Sequence, residues 1–278
     1  MNDKKNRTFK SIISLVKLKL KNVREYFLSY IFLFLGFTVT AQISPDSPKE
    51  IILLIGQSNM AGRAKLLDQD YQVVQNAFLL DSLNQWNPLK SPLNIHSSIR
   101  KKASMQRFNL GYSFAQEVTS DGKINPIGLV VNARGGTKIN QWIPGTNFYS
   151  EAIRRGKSAI GNQGKIIATF WLQGEGNLGD KDPEFRIYFE KLKSMIYSLR
   201  KDFNNEQMIF IASELNMNQP ENKDFKKMLD RLNREIPYAT SVKSIGTSTF
   251  DGTHYDHKSL ELLGKRFAAR FIELYQKQ

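Results

Sequence analysis

The chain has 278 residues, of which 41% are hydrophobic and 24% are charged, the proportions of an ordinary globular protein. It contains no cysteine, which excludes disulfide bonds, thiolate metal sites and a cysteine nucleophile. The formal net charge is +14, but no nucleic-acid-binding motif accompanies the short basic clusters. We therefore expect a solvated basic surface and no nucleic-acid partner. A weak attraction for acidic polysaccharide is the alternative role of that surface.

The N-terminal segment has the pattern of an export signal. Residues 1–25 contain eight Lys or Arg and two acidic residues, and an uncharged stretch rich in Phe, Leu and Ile follows over 26–41. It ends in Val39-Thr40-Ala41, which suits signal peptidase. We predict a signal peptide over 1–41 and a secreted or periplasmic protein. The alternative is a retained membrane anchor at 26–41, although this run is shorter than the roughly 20 residues of a spanning helix.

After a proline-containing linker over 42–49, strands and helices alternate in one predicted domain, 50–278. Alternation of this kind predicts an α/β fold with a parallel sheet covered by helices on both faces. The predicted strands are 50–55, a short strand within 71–80, 126–131, 165–172 and 207–212. The predicted helices are 110–119, 149–160, 182–200, 222–235 and 259–275.

Three of these strands end in polar, glycine-containing sequences. The first runs from five apolar residues into Gly56-Gln57-Ser58-Asn59-Met60, the next leads to residues 132–137, and another leads to residues 173–177. Open α/β sheets bind ligands beyond the carboxyl ends of their strands. We therefore expect the three loops to converge at that edge, where Ser58 stands in the position of a nucleophile.

A serine hydroxyl needs a base before it can act as a nucleophile. Of the three histidines, His254 has Asp251 three residues before it. This spacing lets a carboxylate hold one ring nitrogen while the other faces Ser58. His96 and His257 are more typical of exposed or structural histidines. We predict a catalytic triad of Ser58, His254 and Asp251.

An ester transition state also needs hydrogen-bond donors for the developing oxyanion. The candidates are the Ser58 backbone N–H, an N–H of Gly135 or Gly136, and the side-chain amide of Gln173. Glycine permits close approach of the backbone to a ligand, although the spacing of this pair is by itself more typical of a tight turn.

Five further residues near these loops are candidates for support or for contact with the substrate. Arg134 and Glu175 can form a buried ion pair that braces the loops, or either can contact the substrate. Trp142 is either a core residue or the wall of a pocket. Gln57 and Asn59 flank the nucleophile and are expected to shape its loop.

Taken in order, these blocks resemble the SGNH/GDSL hydrolase superfamily. The blocks are Gly56-Gln57-Ser58-Asn59-Met60, Gly135-Gly136-Thr137 with Trp142, Gln173-Gly174-Glu175, and Asp251-x-x-His254. Within the superfamily the similarity is to the sialate O-acetylesterase and carbohydrate esterase family 6 branch, which includes acetylxylan esterases. This branch resembles the chain in having Gln where the wider superfamily has Asn at the position of Gln173.

The resemblance implies a flavodoxin-like three-layer α/β/α sandwich with a mostly parallel five-stranded sheet. It implies metal-free removal of O-acetyl groups from sugars, with no cofactor, through Ser58, His254 and Asp251. Acetylxylan, acetylated sialic acid or a similar glycan is then the expected substrate. Two alternatives remain open: a non-catalytic carbohydrate-binding protein on the same scaffold, and a lipid or thioester hydrolase of the superfamily.

Overall fold

A seven-stranded sheet is the centre of the fold. The computed structural model describes residues 48–278 except 121, 123, 125, 162, 182–184 and 217–219. The predicted leader and most of the predicted linker lie outside these residues. The strands are β1 (Glu50–Gly56), β2 (Val74–Leu80), β3 (Trp86–Leu89), β4 (Ile127–Ala133), β5 (Lys165–Leu172), β6 (Ile209–Ser213) and β7 (Ala239–Val242).

The strand order is β3-β2-β4-β1-β5-β6-β7. All neighbours pair in parallel except β2 and β3, which pair antiparallel. The five strands β4-β1-β5-β6-β7 follow the flavodoxin-like order 2-1-3-4-5, in which the ligand site lies at the carboxyl end of the first strand. The chain reverses its direction of growth at β1, so the end of β1 is the predicted location of the site.

Helices cover both faces of the sheet. The helices are α1 (Ser58–Ala61), α2 (Leu110–Ser120), α3 (Asn147–Ile160), α4 (Arg186–Asp202), α5 (Glu221–Leu229), α6 (Leu232–Glu235) and α7 (His257–Tyr275).

Two consecutive residues of β5 show the three-layer arrangement. The ring of Phe170 contacts Phe114 of α2 and Phe267 of α7. The indole N–H of Trp171 donates to the hydroxyl of Tyr188 on α4 at 3.0 Å. Because successive side chains of a strand point to opposite faces, α2 and α7 cover one face and α4 covers the other. The expected α/β/α sandwich is therefore confirmed.

The sheet has seven strands, whereas five were expected. β3 and β7 were not predicted because each has only four residues, and β3 also contains Pro88. The helix predicted over 222–235 is divided into α5 and α6. Within the described residues, no helix combines the length and the apolar character needed to cross a membrane.

Candidate active site

The nucleophile loop begins with a sharp turn at the end of β1. Gly56 has φ +142°, and a Cβ at this position would lie 2.2 Å from the carbonyl oxygen of Leu172 in β5. Only glycine fits so close to a neighbouring strand. The next residue, Gln57, donates its backbone N–H to the same carbonyl at 2.9 Å. This turn takes the chain directly into α1, whose first residue is Ser58.

The structure brings Ser58, His254 and Asp251 into one hydrogen-bonded chain. The Oγ of Ser58 lies 3.0 Å from Nε2 of His254, and Nδ1 of His254 lies 2.6 Å from Oδ2 of Asp251. The second oxygen of Asp251 accepts the backbone N–H groups of Thr253 at 3.0 Å and His254 at 2.7 Å. Partial desolvation of Asp251 is outweighed by these hydrogen bonds, so the pKa of its carboxyl lies below its ordinary value.

The loop that carries His254 is a short closed turn between β7 and α7. Its two ends meet in a bridge between Thr249 and Tyr255, and Phe250 donates its N–H to the carbonyl of His254 at 3.0 Å. Asp256 then caps α7 by accepting the N–H of Ser259 at 2.8 Å. The imidazole is therefore carried by a turn that is fixed at both ends.

Asn59 joins this loop to the nucleophile. Its side-chain amide donates to Oε1 of Glu175 at 2.6 Å and to the carbonyl of Thr253 at 3.1 Å. Its side-chain oxygen accepts the backbone N–H of Tyr255 at 3.0 Å. The sequence predicted only that Asn59 shapes the nucleophile loop. It did not indicate these hydrogen-bond partners, because they are distant from Asn59 in the sequence.

Glu175 and Arg134 do not form the ion pair considered from the sequence. Glu175 is buried, and its Oε2 has no hydrogen-bond partner in the described part of the chain. Burial raises the pKa of this carboxyl. Arg134 instead donates to the carbonyl of Ile99 at 2.8 Å and lies over the ring of Phe148. The loops are braced by Asn59 at this point and not by a salt bridge.

The two glycines after β4 differ in their relation to Ser58. Gly135 is buried, and a Cβ built on it would lie 3.2 Å from the Cβ of Ser58. Gly136 is exposed. Among the described residues, the backbone N–H groups of Ser58 and Gly135 donate to no protein acceptor. These two donors are therefore available beside the Ser58 hydroxyl. Of the two glycines, Gly135 is the better placed to provide an N–H there.

Gln173 does not fit the role of oxyanion donor. It is 0% exposed, and its amide nitrogen lies 2.9 Å from the carbonyl of Thr137, 3.0 Å from Oδ1 of Asn177 and 3.2 Å from Oε1 of Gln57. Its own oxygen accepts the hydroxyl of Tyr188 at 2.9 Å. Both N–H groups of the Gln173 amide are thus directed at acceptors inside the protein. Gln173 therefore holds the three strand-end loops together.

Trp142 is a core residue and not the wall of a pocket. It is 0% exposed, its indole N–H donates to Oγ1 of Thr137 at 3.0 Å, and its rings contact Trp171 and Phe148. The indole fixes the loop after β4 against the face of the sheet covered by α4. Because the side chain is fully buried, it cannot touch a substrate directly.

A cavity of about 610 Å³ opens beside His254. Its lining includes Arg63, Arg107 and Phe250, none of which the sequence patterns singled out. Arg63 follows the nucleophile motif after Gly62, which is the one signal that could have indicated it. Among the described residues, no group of His, Asp and Glu is arranged to hold a metal ion.

His257 also lines this cavity and has a structural environment, as the sequence suggested. Its Nε2 lies 2.8 Å from Oδ2 of the buried Asp70, and its ring stacks on Phe108. This pair ties the first turn of α7 to the segment that follows α1.

The flavodoxin-like order and the serine at the end of β1 define the architecture of the SGNH-type hydrolases. Within that class, the chain belongs to the carbohydrate esterase, sialic acid-specific acetylesterase family, whose model matches residues 48–273. The predicted resemblance is thereby confirmed.

One sequence relative and three solved structures are similar to this chain. A protein of Arabidopsis thaliana named "Probable carbohydrate esterase" is 30% identical over 178 residues, which cover 58% of this chain and 66% of the relative. A solved structure of an Arabidopsis thaliana protein has a TM-score of 0.73 at 24% identity and covers 81% of this chain and 98% of that one. The structure of NanS has a TM-score of 0.68 at 14% identity, covering 84% and 99%. A carbohydrate acetylesterase from Xanthomonas citri has a TM-score of 0.57 at 17% identity, covering 82% and 57%.

Proposed function

We propose that this protein is a serine esterase that removes O-acetyl groups from carbohydrates through an acetyl-enzyme. The observation that carries the proposal is the continuous hydrogen-bonded chain from the Ser58 hydroxyl through His254 to Asp251. The free N–H groups of Ser58 and Gly135 beside that hydroxyl support it. Family membership supports the choice of an acetylated carbohydrate as substrate.

In the proposed mechanism, the Oγ of Ser58 attacks the acetyl carbonyl carbon while Nε2 of His254 takes the hydroxyl proton. The carboxylate of Asp251 holds Nδ1–H and stabilises the imidazolium that forms. The negative charge on the former carbonyl oxygen is stabilised by the N–H groups of Ser58 and Gly135. When the tetrahedral intermediate breaks down, His254 gives its proton to the departing sugar oxygen.

The acetyl group then remains on Ser58. A water molecule repeats the sequence, giving its proton to His254 and its oxygen to the acetyl carbon. The ester bond to Ser58 breaks, the serine oxygen regains a proton from His254, and acetate leaves. Asp251 suits this role because its lowered pKa keeps the carboxylate ionised.

The cavity beside His254 has features that suit a sugar. Phe250 lines this cavity, and its side chain is 57% exposed. The ring of Phe250 is nearly parallel to that of His254, with the ring centroids 5.8 Å apart. An exposed aromatic ring offers a flat apolar face against which the C–H groups of a pyranose can pack. The volume of the cavity falls within the range of small-ligand sites.

The test is acetate release from a panel of acetylated glycans and an aryl acetate by the wild-type and Ser58→Ala proteins. We expect Ser58→Ala to lower kcat by roughly 10⁴-fold or more, as in other serine hydrolases. Ser213→Ala is the matched control, because Ser213 is a buried serine at the end of β6 whose hydroxyl donates to the carbonyl of Glu214. Wild-type rates in Ser58→Ala would refute the proposal.

Two other outcomes would point to the alternative functions. A protein that binds acetylated glycans without releasing acetate, and in which a fluorophosphonate does not label Ser58, would be a carbohydrate-binding protein. A rate that rises steadily with acyl chain length would indicate a lipid or thioester hydrolase.

A further inference from the structure

The oxyanion site beside Ser58 lacks the side-chain donor that the sequence predicted. Gln173 was the expected donor, but both of its N–H groups are directed at acceptors inside the protein. The backbone N–H groups of Ser58 and Gly135 remain available. A unit of negative charge develops on the carbonyl oxygen during ester cleavage, and side chains as well as backbone groups can stabilise it. Another side chain that reaches the same space would take the place of Gln173.

Arg63 places a guanidinium in this space. Its Nη2 lies 3.0 Å from the position of a Cβ on Gly135, and the Cβ of Ser58 lies 3.2 Å from the same point. The backbone nitrogen of Gly135 is bonded to the Cα that would carry this Cβ, so Nη2 and the Gly135 N–H are close neighbours. Arg63 also lines the cavity that contains His254. The guanidinium therefore lies on the Gly135 side of Ser58 and is accessible from the cavity.

The guanidinium of Arg63 is fixed in orientation, and one of its arms is free. Nη1 donates to the carbonyls of Gly62 at 2.7 Å and Met105 at 3.0 Å. Because the group is planar and rigid, these two bonds also set the direction of Nη2. Nη2 itself donates to no acceptor among the described residues. Its N–H groups are thus available to a ligand atom beside Gly135.

The charge of Arg63 has no counter-ion in the protein itself. In the part of the chain that the structure describes, no acidic residue forms an ion pair with it. Burial lowers the pKa of Arg63, yet arginine stays charged at physiological pH. A half-buried cation without an anion costs free energy. An anion that forms beside Gly135 would offset this cost.

The reaction supplies such an anion only after Ser58 has attacked. The acetyl carbonyl of the bound ester is neutral, so it interacts weakly with a nearby cation, whereas the oxyanion carries a full charge. An interaction accelerates the chemical step only if it is stronger in the transition state than in the ground state. A fixed cation beside the oxyanion meets this condition, and it needs no reorganisation during the reaction.

We propose that Arg63 is a catalytic residue whose free Nη2 arm donates a hydrogen bond to the oxyanion. It acts beside the N–H groups of Ser58 and Gly135, and it keeps its own protons throughout. A tetrahedral intermediate forms both when Ser58 attacks the ester and when water attacks the acetyl-enzyme, so Arg63 assists both halves of the reaction. This inference rests on the proposed function, because the oxyanion arises only from an ester that Ser58 attacks.

The experiment measures hydrolysis of an uncharged aryl acetate, so that no contact between Arg63 and a sugar contributes. Arg63→Gln is expected to lower kcat and kcat/KM by the same factor, which is the signature of an interaction made only in the transition state. The expected factor is roughly 10², the lower end of the loss caused by removing one oxyanion donor, because two backbone donors remain. Arg63→Lys keeps the charge but loses the planar fork, so it should retain part of the rate.

Chemical rescue separates the charge of Arg63 from its packing. Arg63→Ala removes the side chain beyond Cβ, and added guanidinium ion should restore part of kcat at concentrations far below those that unfold the protein. Urea has a similar planar shape and no charge, so it should restore none of the lost rate. A purely structural role would not distinguish the two compounds.

Arg200→Gln is the matched control. Arg200 is also an arginine that donates to two backbone carbonyls, those of Met208 at 3.0 Å and Pro237 at 2.6 Å. These carbonyls precede β6 and β7, so Arg200 lies at the edge of the sheet opposite Ser58. Its replacement should lower stability and leave kcat unchanged. Urea unfolding of each variant shows that the protein is folded before its rate is compared.

Wild-type kcat in folded Arg63→Gln would overturn the inference, and so would a change confined to KM. Equal rescue of Arg63→Ala by urea and guanidinium, or rescue by neither, would overturn it as well, because the reaction would then not depend on the charge. Each of these results leaves the proposed esterase activity intact. Failure of the esterase proposal is distinct, because the wild-type protein would then release no acetate, or Ser58→Ala would release it at the same rate.

Discussion

Replacing Asn59 with alanine is expected to separate the nucleophile from its base without changing either residue. The Asn59 side chain is 1% exposed and makes hydrogen bonds to Glu175, Thr253 and Tyr255 at 2.6, 3.1 and 3.0 Å. These bonds connect α1 with the loop after β5 and with the turn that carries His254. Alanine at this position removes all three hydrogen bonds and provides no other group for their partner atoms.

The expected loss of stability follows from these contacts. Three hydrogen bonds at about 1 kcal/mol each, with further cost for the buried Tyr255 N–H left unpaired, give about 3–5 kcal/mol. This is less than the stability of a typical domain of about 5–15 kcal/mol. Asn59→Ala should therefore fold but hold His254 loosely. A displacement of about 1 Å can lower a rate by roughly 10²-fold, so we expect kcat to fall by about 10²- to 10³-fold.

The assay combines steady-state hydrolysis of an aryl acetate with urea unfolding of the same preparations. Asn205→Ala is the matched control. Asn205 is a buried asparagine between α4 and β6, at the opposite edge of the sheet, and its amide donates to the carbonyl of Ile166 at 2.9 Å. Its replacement should lower stability by about 1–2 kcal/mol and leave kcat unchanged.

The reasoning would be refuted if folded Asn59→Ala kept wild-type kcat and lost only stability. His254 would then be held by its own turn, and Asn59 would be an ordinary buried residue. A similar loss of kcat in Asn205→Ala would also contradict it, because the effect would follow from general destabilisation.

Three further predictions concern neighbouring positions. Gly135→Ala places a methyl group 3.2 Å from the Cβ of Ser58 and 3.0 Å from Nη2 of Arg63. We expect kcat/KM to fall by at least roughly ten-fold and the free energy of unfolding to fall by about 1–3 kcal/mol. Unchanged kinetics would contradict the close approach of Gly135 to Ser58. The pKa of the Glu175 carboxyl is raised in the folded protein, so the folded protein keeps a proton that the unfolded chain has released. The stability of the wild-type protein should therefore fall as the pH rises from the carboxyl pKa of the unfolded chain through the raised pKa of the folded protein. Urea unfolding across this pH range should show a smaller decline for Glu175→Gln, and parallel curves would refute the assignment. Trp142→Ala should lower stability by about 3–5 kcal/mol with little change in KM, whereas a selective rise in KM would indicate a substrate contact.

The sequence predicted the centre of the fold because its central strands are continuous apolar runs. Residues Ile51–Ile55 are buried on both faces of the sheet, and burial of this kind leaves a clear pattern. The two edge strands, β3 and β7, have no such pattern, since each has only four residues and β3 contains Pro88. Their positions are set by packing against neighbouring elements and not by local sequence.

The same distinction applies to the site. The proximity of Asp251 and His254 could be predicted because it is local, and their approach to Ser58 followed from the convergence of strand ends. The contacts of Gln173 and Glu175 could not be predicted, since their main partners are 36 and 116 residues away in the sequence. Residue type alone suggested an oxyanion donor and an ion pair, whereas long-range contacts determine both environments.

We propose that residues 1–41 direct export, and N-terminal sequencing of the protein recovered from its native compartment would test this. A mature chain beginning at Gln42 would support cleavage, and an intact N-terminus retained in membranes would support the anchor.

The central claim is that Ser58 carries the acetyl group during turnover, and one measurement tests it directly. The protein is mixed with an aryl acetate, quenched in acid within the first turnovers, digested and analysed by mass spectrometry. We predict that the peptide containing Ser58 gains the mass of one acetyl group, and that this gain disappears when the substrate is exhausted. Acetate release at the normal rate with no acetylation of that peptide, or with acetylation unaffected by Ser58→Ala, would contradict the proposed mechanism.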